Sequence, residues 1–352
     1  MSAPAEILFE RRGAAGIVTL NRPQALGAVT HGMVLALRAQ LDAWADDAAV
    51  TRVIVTSAPG RAFSAGGDIR ALYDLGRAGQ HDKALQFWRD EYPLNTVIKT
   101  YRKPYVALID GIVMGGGVGV SVHGSHRVAG DKYAFAMPEV GIGFFPDVGA
   151  TWFLPRLPGR LGTYCALTGD RLNAADACAA GLATHRVASS RFAELLDALC
   201  GNVSVDAVLA AFAEAAEEGP VAPHRATIER LFDGESVEAI LAKLDREAAG
   251  GAAADWAGKV VANIRTKSPT SLKVALAQMR HGAGWTFAQC MQAEFRIVSR
   301  IVREHDFYEG VRAAIIDKDN APRWQPATLD AVTPVEIERH FAALDAGDLD
   351  LS

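Results

Sequence analysis

The stretch PEVGIGFFPDVG, residues 138–149, places two carboxylates, Glu139 and Asp147, in a run otherwise made of glycine, proline, valine, isoleucine and phenylalanine. An acid in apolar surroundings has its charged form disfavoured and its basicity raised, which suits it to take a proton from water or to attack an electrophile directly. Two glycine turns offer the complementary chemistry: SAGGD at 64–68 and MGGGVG at 114–119, each between a strand-like and a helix-like run. Backbone N–H groups at such turns can point outward. Two of them converging on one carbonyl oxygen stabilise an oxyanion, and glycine lets the ligand come close to the backbone. Read singly, the same glycines serve tight turns, and Asp68 reads as a helix cap.

The elements that must position these residues follow from periodicity. EILFERRGAAGIVTLNRP alternates apolar and polar residues around a glycine-containing turn, a β-hairpin closed by proline. Val34, Leu37, Leu41 and Trp44 recur at spacings of three and four, one buried helical face. VTRVIVTSA is a β-branched strand leading to FSAGGDI and then to the helical RALYDLG. KPYVALIDG leads likewise through MGGG into VGVSVHG. HRVAGDKYAFAMPEV supplies further strands, and GATWFLPRL and LGTYCALTG supply helices. This alternation predicts an α/β core with parallel strands at 1–190. Beyond it, alanine-rich and charged segments predict a helical region at 191–352 that packs on the core or on a neighbouring subunit. SVDAVLAAFAEAAEEGPVAPH reads as a helix ended by Gly-Pro. Ser268 caps a helix with Pro269 in its first turn. Phe287, Met291, Phe295, Val298 and Val302 share one face of the next helix.

Half of the 352 residues are hydrophobic and 22% are charged, as in soluble globular proteins, and the net charge of -5 offers no basic surface for nucleic acid or acidic membranes. Cys165, Cys178, Cys200 and Cys290 form no CxxC pair, so neither a zinc knuckle nor a disulfide framework is expected. MSAPAEILFERRG lacks an apolar core of signal-peptide length, and GIVMGGGVGVSV is too short to span a bilayer. A cytoplasmic protein is expected. His123 and His126 have no third ligand at a recognisable spacing and read as structural.

NRPQAL, AFSAGGDI, KPYVALIDGIVMGGGVG and FAMPEVGIGFFPDVGATWFLPRL stand in the order and approximate spacing of the crotonase (enoyl-CoA hydratase/isomerase) superfamily, which the chain resembles from about residue 6 to residue 341. Within it, EYPLN, MGGGVGVSVHG, MPEVGIGFFPDVG and EHDFYEGVRAAIIDKDNAPRW resemble the 3-hydroxyisobutyryl-CoA hydrolases. The resemblance implies the crotonase ββα spiral core followed by a helical C-terminal region.

It also implies roles. The N–H groups of Gly67 and Gly116 would hold the thioester oxygen, with Gly66, Gly115 and Asp68 lining the substrate beside them. Removing one such donor elsewhere costs on the order of 3 kcal/mol. Hydratases of the superfamily bring two glutamates to a water; Glu139 matches the second, while Gly119 stands at the first and transfers no proton. In the hydrolases the partners of the retained glutamate match Asp147, which would hold the substrate's 3-hydroxyl, and Glu91, which would line the same pocket. Asp147 also reads as a cap for the following helix, and Glu91 as solvated helix surface. The implied activity is release of 3-hydroxyisobutyrate and CoA, as in valine breakdown, with a small-molecule acyl-CoA as partner and no cofactor or metal beyond the CoA of the substrate. Arg22, Arg61 and Arg70 are candidates for its phosphates. Two other readings are a hydratase or isomerase working with one glutamate, and a non-catalytic acyl-CoA- or RNA-binding member of the fold. Self-association stays open, because a helical tail can cover within one chain the apolar surface that relatives bury in trimers or hexamers.

Overall fold

In the computed structural model, which describes residues 4–351 apart from 216 and 346, the opening hairpin is formed by strands β1 (Ile7–Arg12) and β2 (Ala15–Leu20). They pair antiparallel, with Ile7 opposite Leu20 and Arg12 opposite Ala15. The first three residues of the N-terminal stretch read above lie outside the described residues. The further strands are β3 (Arg52–Ser57), β4 (Ala62–Ser64), β5 (Tyr105–Ile109), β6 (Ile112–Met114), β7 (His126–Ala129), β8 (Ala134–Ala136), β9 (Leu172–Asn173) and β10 (His185–Arg186). One sheet has the order β1-β2-β3-β5-β7-β10 and is parallel from β2 onward; a smaller one has the order β4-β6-β8-β9. The crotonase-like α/β core with a helical C-terminal region is therefore present. β2, β3 and β5 are apolar almost throughout, as parallel strands covered on both faces must be.

By its own packing the chain divides into two compact units, each assembled from three segments: Met1–Asp68, Pro93–Phe135 and Arg171–Pro220 in the first; Ile69–Tyr92, Ala136–Asp170 and Val221–Ser352 in the second. The change of composition near residue 190 marks where strands give way to helices, and the packing divides elsewhere.

In the first unit, the helix His31–Asp46 starts at Thr30, whose hydroxyl accepts the Met33 N–H, and buries Val34, Leu37, Leu41 and Trp44 as the spacing predicts. Helices Phe192–Leu199 and Val205–Phe212 lie against Ile17, Ile54, Val106, Leu108 and Val128 of the large sheet. The second of these stops at Phe212, short of the Gly-Pro breaker. Ala213 turns extended, and the Glu214 N–H bonds to the Arg186 carbonyl of β10 at 2.9 Å, so a tertiary bond overrides alanine's helix propensity. The helix expected after MGGG is a single turn, Gly116–Gly119.

The second unit is built largely from helices. Pro269–Gly282 begins at Ser268, which accepts the Ser271 N–H, as expected. Phe287–Ile301 opens with a capping box between Thr286 and Gln289 and buries Met291, Phe295 and Val298; Val302, just past its end, is buried too. Phe287 is half-buried, edge-on to Trp152 with ring centroids 5.9 Å apart.

Gly117 fixes how closely the second glycine turn approaches the first. A Cβ there would lie 2.4 Å from the Ser64 carbonyl oxygen and 2.6 Å from the Ser64 Cβ. Gly117→Ala is expected to lower the unfolding free energy by about 1–3 kcal/mol in a denaturant titration; an unchanged midpoint would show that the turn is looser than described.

Candidate active site

Both glycine turns lie in the first unit, and they adjoin. A Cβ placed on Gly66 would be 3.8 Å from Gly115 Cα and 3.9 Å from the Gly116 nitrogen. The first turn is held by a parallel bridge between Val29 and Gly67: the Val29 N–H donates to the Gly66 carbonyl and the Asp68 N–H to the Val29 carbonyl, both at 2.9 Å. This pairing leaves the Gly67 N–H directed away from Val29. Gly115 has φ +44°, a backbone state that favours glycine, and it is the N-cap of the one-turn helix that begins at Gly116, whose N–H therefore has no acceptor within that helix. Two outward donors on adjoining turns suit an anionic oxygen.

The acids lie in the second unit. Trp88, Glu91 and Tyr92 stand at helical spacing on one face of the helix His81–Lys99, and all three are buried. This settles the sequence ambiguity at Glu91: it is 1% exposed and is not solvated surface. Glu139 opens the 3-10 turn Glu139–Ile142 at 6% exposure, and Asp147 is 4% exposed. Trp88 stacks on Phe144 at 5.7 Å, and Phe144 lies 4.6 Å from Phe145 and 5.7 Å from Phe307 between ring centroids, so the acids share their unit with an aromatic cluster.

The Tyr92 hydroxyl donates to Asp147 Oδ2 at 3.0 Å, and the Trp88 indole N–H donates to the same carboxyl. Burial nevertheless pushes Asp147 up to about 7, against those hydrogen bonds. Burial, and then the field of Asp147, raise Glu139 well above the usual carboxylate range. Glu91 is raised well above it by burial and by the fields of Asp147 and Glu294. One oxygen of Glu91 (Oε1) and one of Glu139 (Oε2) are buried with no hydrogen-bond partner among the described residues. Such orphaned atoms are costly and call for a water or a ligand.

Asp147 does not cap the next helix with its side chain. That helix, Ala150–Phe153, has Gly149 at its N-cap position, and the N–H groups at its start go to a residue that sequence reasoning missed. Glu294 Oε2 accepts the Gly149 N–H at 2.7 Å and Oε1 the Thr151 N–H at 2.9 Å. Burial, with the Asp147 field, pushes Glu294 up to about 8. Its signal was in the sequence: position 294 lies three after Met291 and four before Val298, inside the buried stripe of its helix.

The expectation for Arg22 is revised. Arg22 is engaged inside the fold: its guanidinium pairs with Glu6 at 3.1 Å and Asp68 at 3.0 Å and donates to the Ala28 carbonyl. It is not a free phosphate ligand, and Asp68 is tied to it. His126 binds Asp206 at 3.0 Å and Ser125 at 2.9 Å. No group of three or more His, Cys, Asp or Glu side chains among the described residues is arranged to hold a metal ion. Cys165, Cys178, Cys200 and Cys290 form no disulfide among the described residues.

A family model described as enoyl-CoA hydratase/isomerase matches residues 15–341. The chain is 44% identical to the mitochondrial 3-hydroxyisobutyryl-CoA hydrolase of Xenopus tropicalis, over 98% of this chain and 91% of that protein. It is 41% identical to the human one, over 99% and 91%. Among solved structures it is similar to a carnitinyl-CoA dehydratase from Mycobacterium thermoresistibile, with TM-score 0.93, 41% identity and 98% of both chains covered. It is also similar to an enoyl-CoA hydratase from Rhodobacter sphaeroides 2.4.1, with TM-score 0.91, 38% identity, and 98% of this chain and all of that one covered. The mitochondrial relatives overturn the expectation of a cytoplasmic protein. The scattered cysteines and the shortness of the apolar runs do not separate one compartment from another.

The raised carboxyl of Asp147 has a sign for stability. Below pH 3.8 it is protonated folded and unfolded and costs nothing; as pH rises the unfolded chain ionises first, so stability is lost until about pH 7. Asp147→Asn, which stays neutral, is expected to stabilise the protein by on the order of 2–3 kcal/mol more at pH 8 than at pH 5. Chemical denaturation at the two pH values reads this directly, and a gain independent of pH would contradict it.

Proposed function

Because the chain belongs to the enoyl-CoA hydratase/isomerase family, we propose that it is an acyl-CoA thioester hydrolase that converts 3-hydroxyisobutyryl-CoA to 3-hydroxyisobutyrate and free CoA, a step of valine breakdown. The observation that carries this reading is the pair of acids: Glu139, buried with one carboxyl oxygen unpartnered, in the field of Asp147, whose carboxyl Tyr92 and Trp88 hold.

In this reading the Gly67 and Gly116 N–H groups take the thioester oxygen and draw charge from its carbonyl carbon. Glu139 removes a proton from water, which adds to that carbon; alternatively, its own oxygen adds first to give a mixed anhydride that water then opens. Either tetrahedral intermediate collapses with loss of the CoA thiolate, which leaves as the thiol once protonated. Asp147 accepts the substrate's 3-hydroxyl. A buried carboxyl built to bond a hydroxyl is left short of a partner by an analogue without one, so it supplies specificity. Glu91 lines the acyl group, and Gly66 and Gly115 let the thioester approach the backbone. The substrate's own CoA is the one cofactor-like group required.

A second reading, hydration or dehydration of an enoyl-CoA, is favoured by what the two similar solved structures are called. Against it stands Gly119, buried in the one-turn helix where a hydratase would have its other glutamate. Thiol release and double-bond loss measured side by side on 3-hydroxyisobutyryl-CoA and crotonyl-CoA separate the two. Thiol release is expected to dominate, and Glu139→Gln to reduce it about 100-fold or more. Rapid loss of the crotonyl double bond with no thiol release would reverse the assignment.

A further inference from the structure

Extending the hydrolase reading above, on which this inference rests, we propose that Glu294 is the positioning residue for Asp147. From the helix Phe287–Ile301 it fastens the turn that presents Asp147, so that discrimination for the substrate's 3-hydroxyl is set by a side chain that never touches the substrate.

The turn needs outside support. Val148 has φ +52° and Gly149 φ +90°, and a β-branched residue in the left-handed region persists only where its surroundings over-determine it. No side chain caps the short helix locally. Glu294, fully buried, accepts the N–H groups of Gly149 and Thr151, one on each oxygen, and the Thr151 hydroxyl as well. Gln278, also fully buried, donates from Nε2 to the Pro146 carbonyl at 2.8 Å and to Thr151 Oγ1 at 2.7 Å. The residues before and after Asp147 are thereby tied to two C-terminal helices through acceptor and donor groups that fit only one backbone arrangement.

A neutral serine or asparagine at the N-cap would satisfy these N–H groups without burying a carboxyl. What a carboxyl group reaching from another helix adds is a fixed distance between that helix and the loop, held by one oxygen on each of two N–H groups. Glutamine at position 294 keeps size and one acceptor but turns an amide N–H toward a backbone N–H, which releases one side of the turn.

The test compares kcat/KM for 3-hydroxyisobutyryl-CoA with that for isobutyryl-CoA, which lacks the hydroxyl, in wild type, Glu294→Gln, Asp147→Asn and the double variant. Glu294→Gln is expected to lower the value for the hydroxylated substrate about 10–100-fold while changing the other by less than about 3-fold. In the Asp147→Asn background it is expected to add no further loss. Equal losses on both substrates, additive effects in the double variant, or no effect would each overturn the proposal. Should Glu294→Gln fail to fold, Glu294→Asp, which keeps the carboxyl group and withdraws it by one methylene, carries the same comparison. Wild-type protein inactive on the hydroxylated substrate would overturn the hydrolase reading itself; active wild type with an unchanged discrimination ratio in the variant overturns only the role of Glu294.

Discussion

Taking a carboxyl group out of water disfavours its ionised form by several kcal/mol unless hydrogen bonds or a counter-charge replace the lost hydration. The second unit does this with Glu91, Glu139, Asp147 and Glu294, and the partners found for Asp147 and Glu294 are neutral: a phenol, an indole, backbone amides and a threonine hydroxyl. Burial raises all four above the usual carboxylate range, and for Glu91, Glu139 and Glu294 the field of Asp147 adds to it. Much of the unit's architecture answers this constraint. The aromatic cluster of Trp88, Phe144, Phe145 and Phe307 lies in the same unit, the helix His81–Lys99 donates to Asp147 through Tyr92 and Trp88, and the turn after Asp147 donates its N–H groups to Glu294.

What could be read from the sequence was whatever has a local signature. The glycine turns, the capped helices at Thr30 and Ser268, the parallel strands and the apolar setting of Glu139 and Asp147 all show in runs of a dozen residues. Glu91 was ambiguous in RDEY because charge clusters usually face solvent; the three-and-four spacing of Trp88, Glu91 and Tyr92 resolves it once the helix is seen to be buried on that side. Glu294 was passed over because a glutamate on an amphipathic helix reads as surface unless its place in the apolar stripe is counted. The ends of helices were least legible. Ala213 leaves the helical state for a hydrogen bond between Glu214 and Arg186, a partner distant in sequence.

The family contains hydrolases, hydratases and dehydratases on one backbone, so fold similarity, even at TM-score 0.93, decides less than single positions do. Gly119 is such a position. It is buried in the same one-turn helix that begins at Gly116, and it carries no side chain that could move a proton.

The separation along the chain of the segments that build the second unit also sets an order in time. The turn at 146–151 leaves the ribosome well before residues 278 and 294, the side chains that fasten it. Until the helix Phe287–Ile301 is made, the Gly149 and Thr151 N–H groups lack their acceptor, and the left-handed bend at Val148 lacks the contacts that hold it. A nascent chain therefore carries Asp147 for more than a hundred residues of synthesis before the turn that holds it is fastened, and a product truncated after the strands would lack the groups that fasten it.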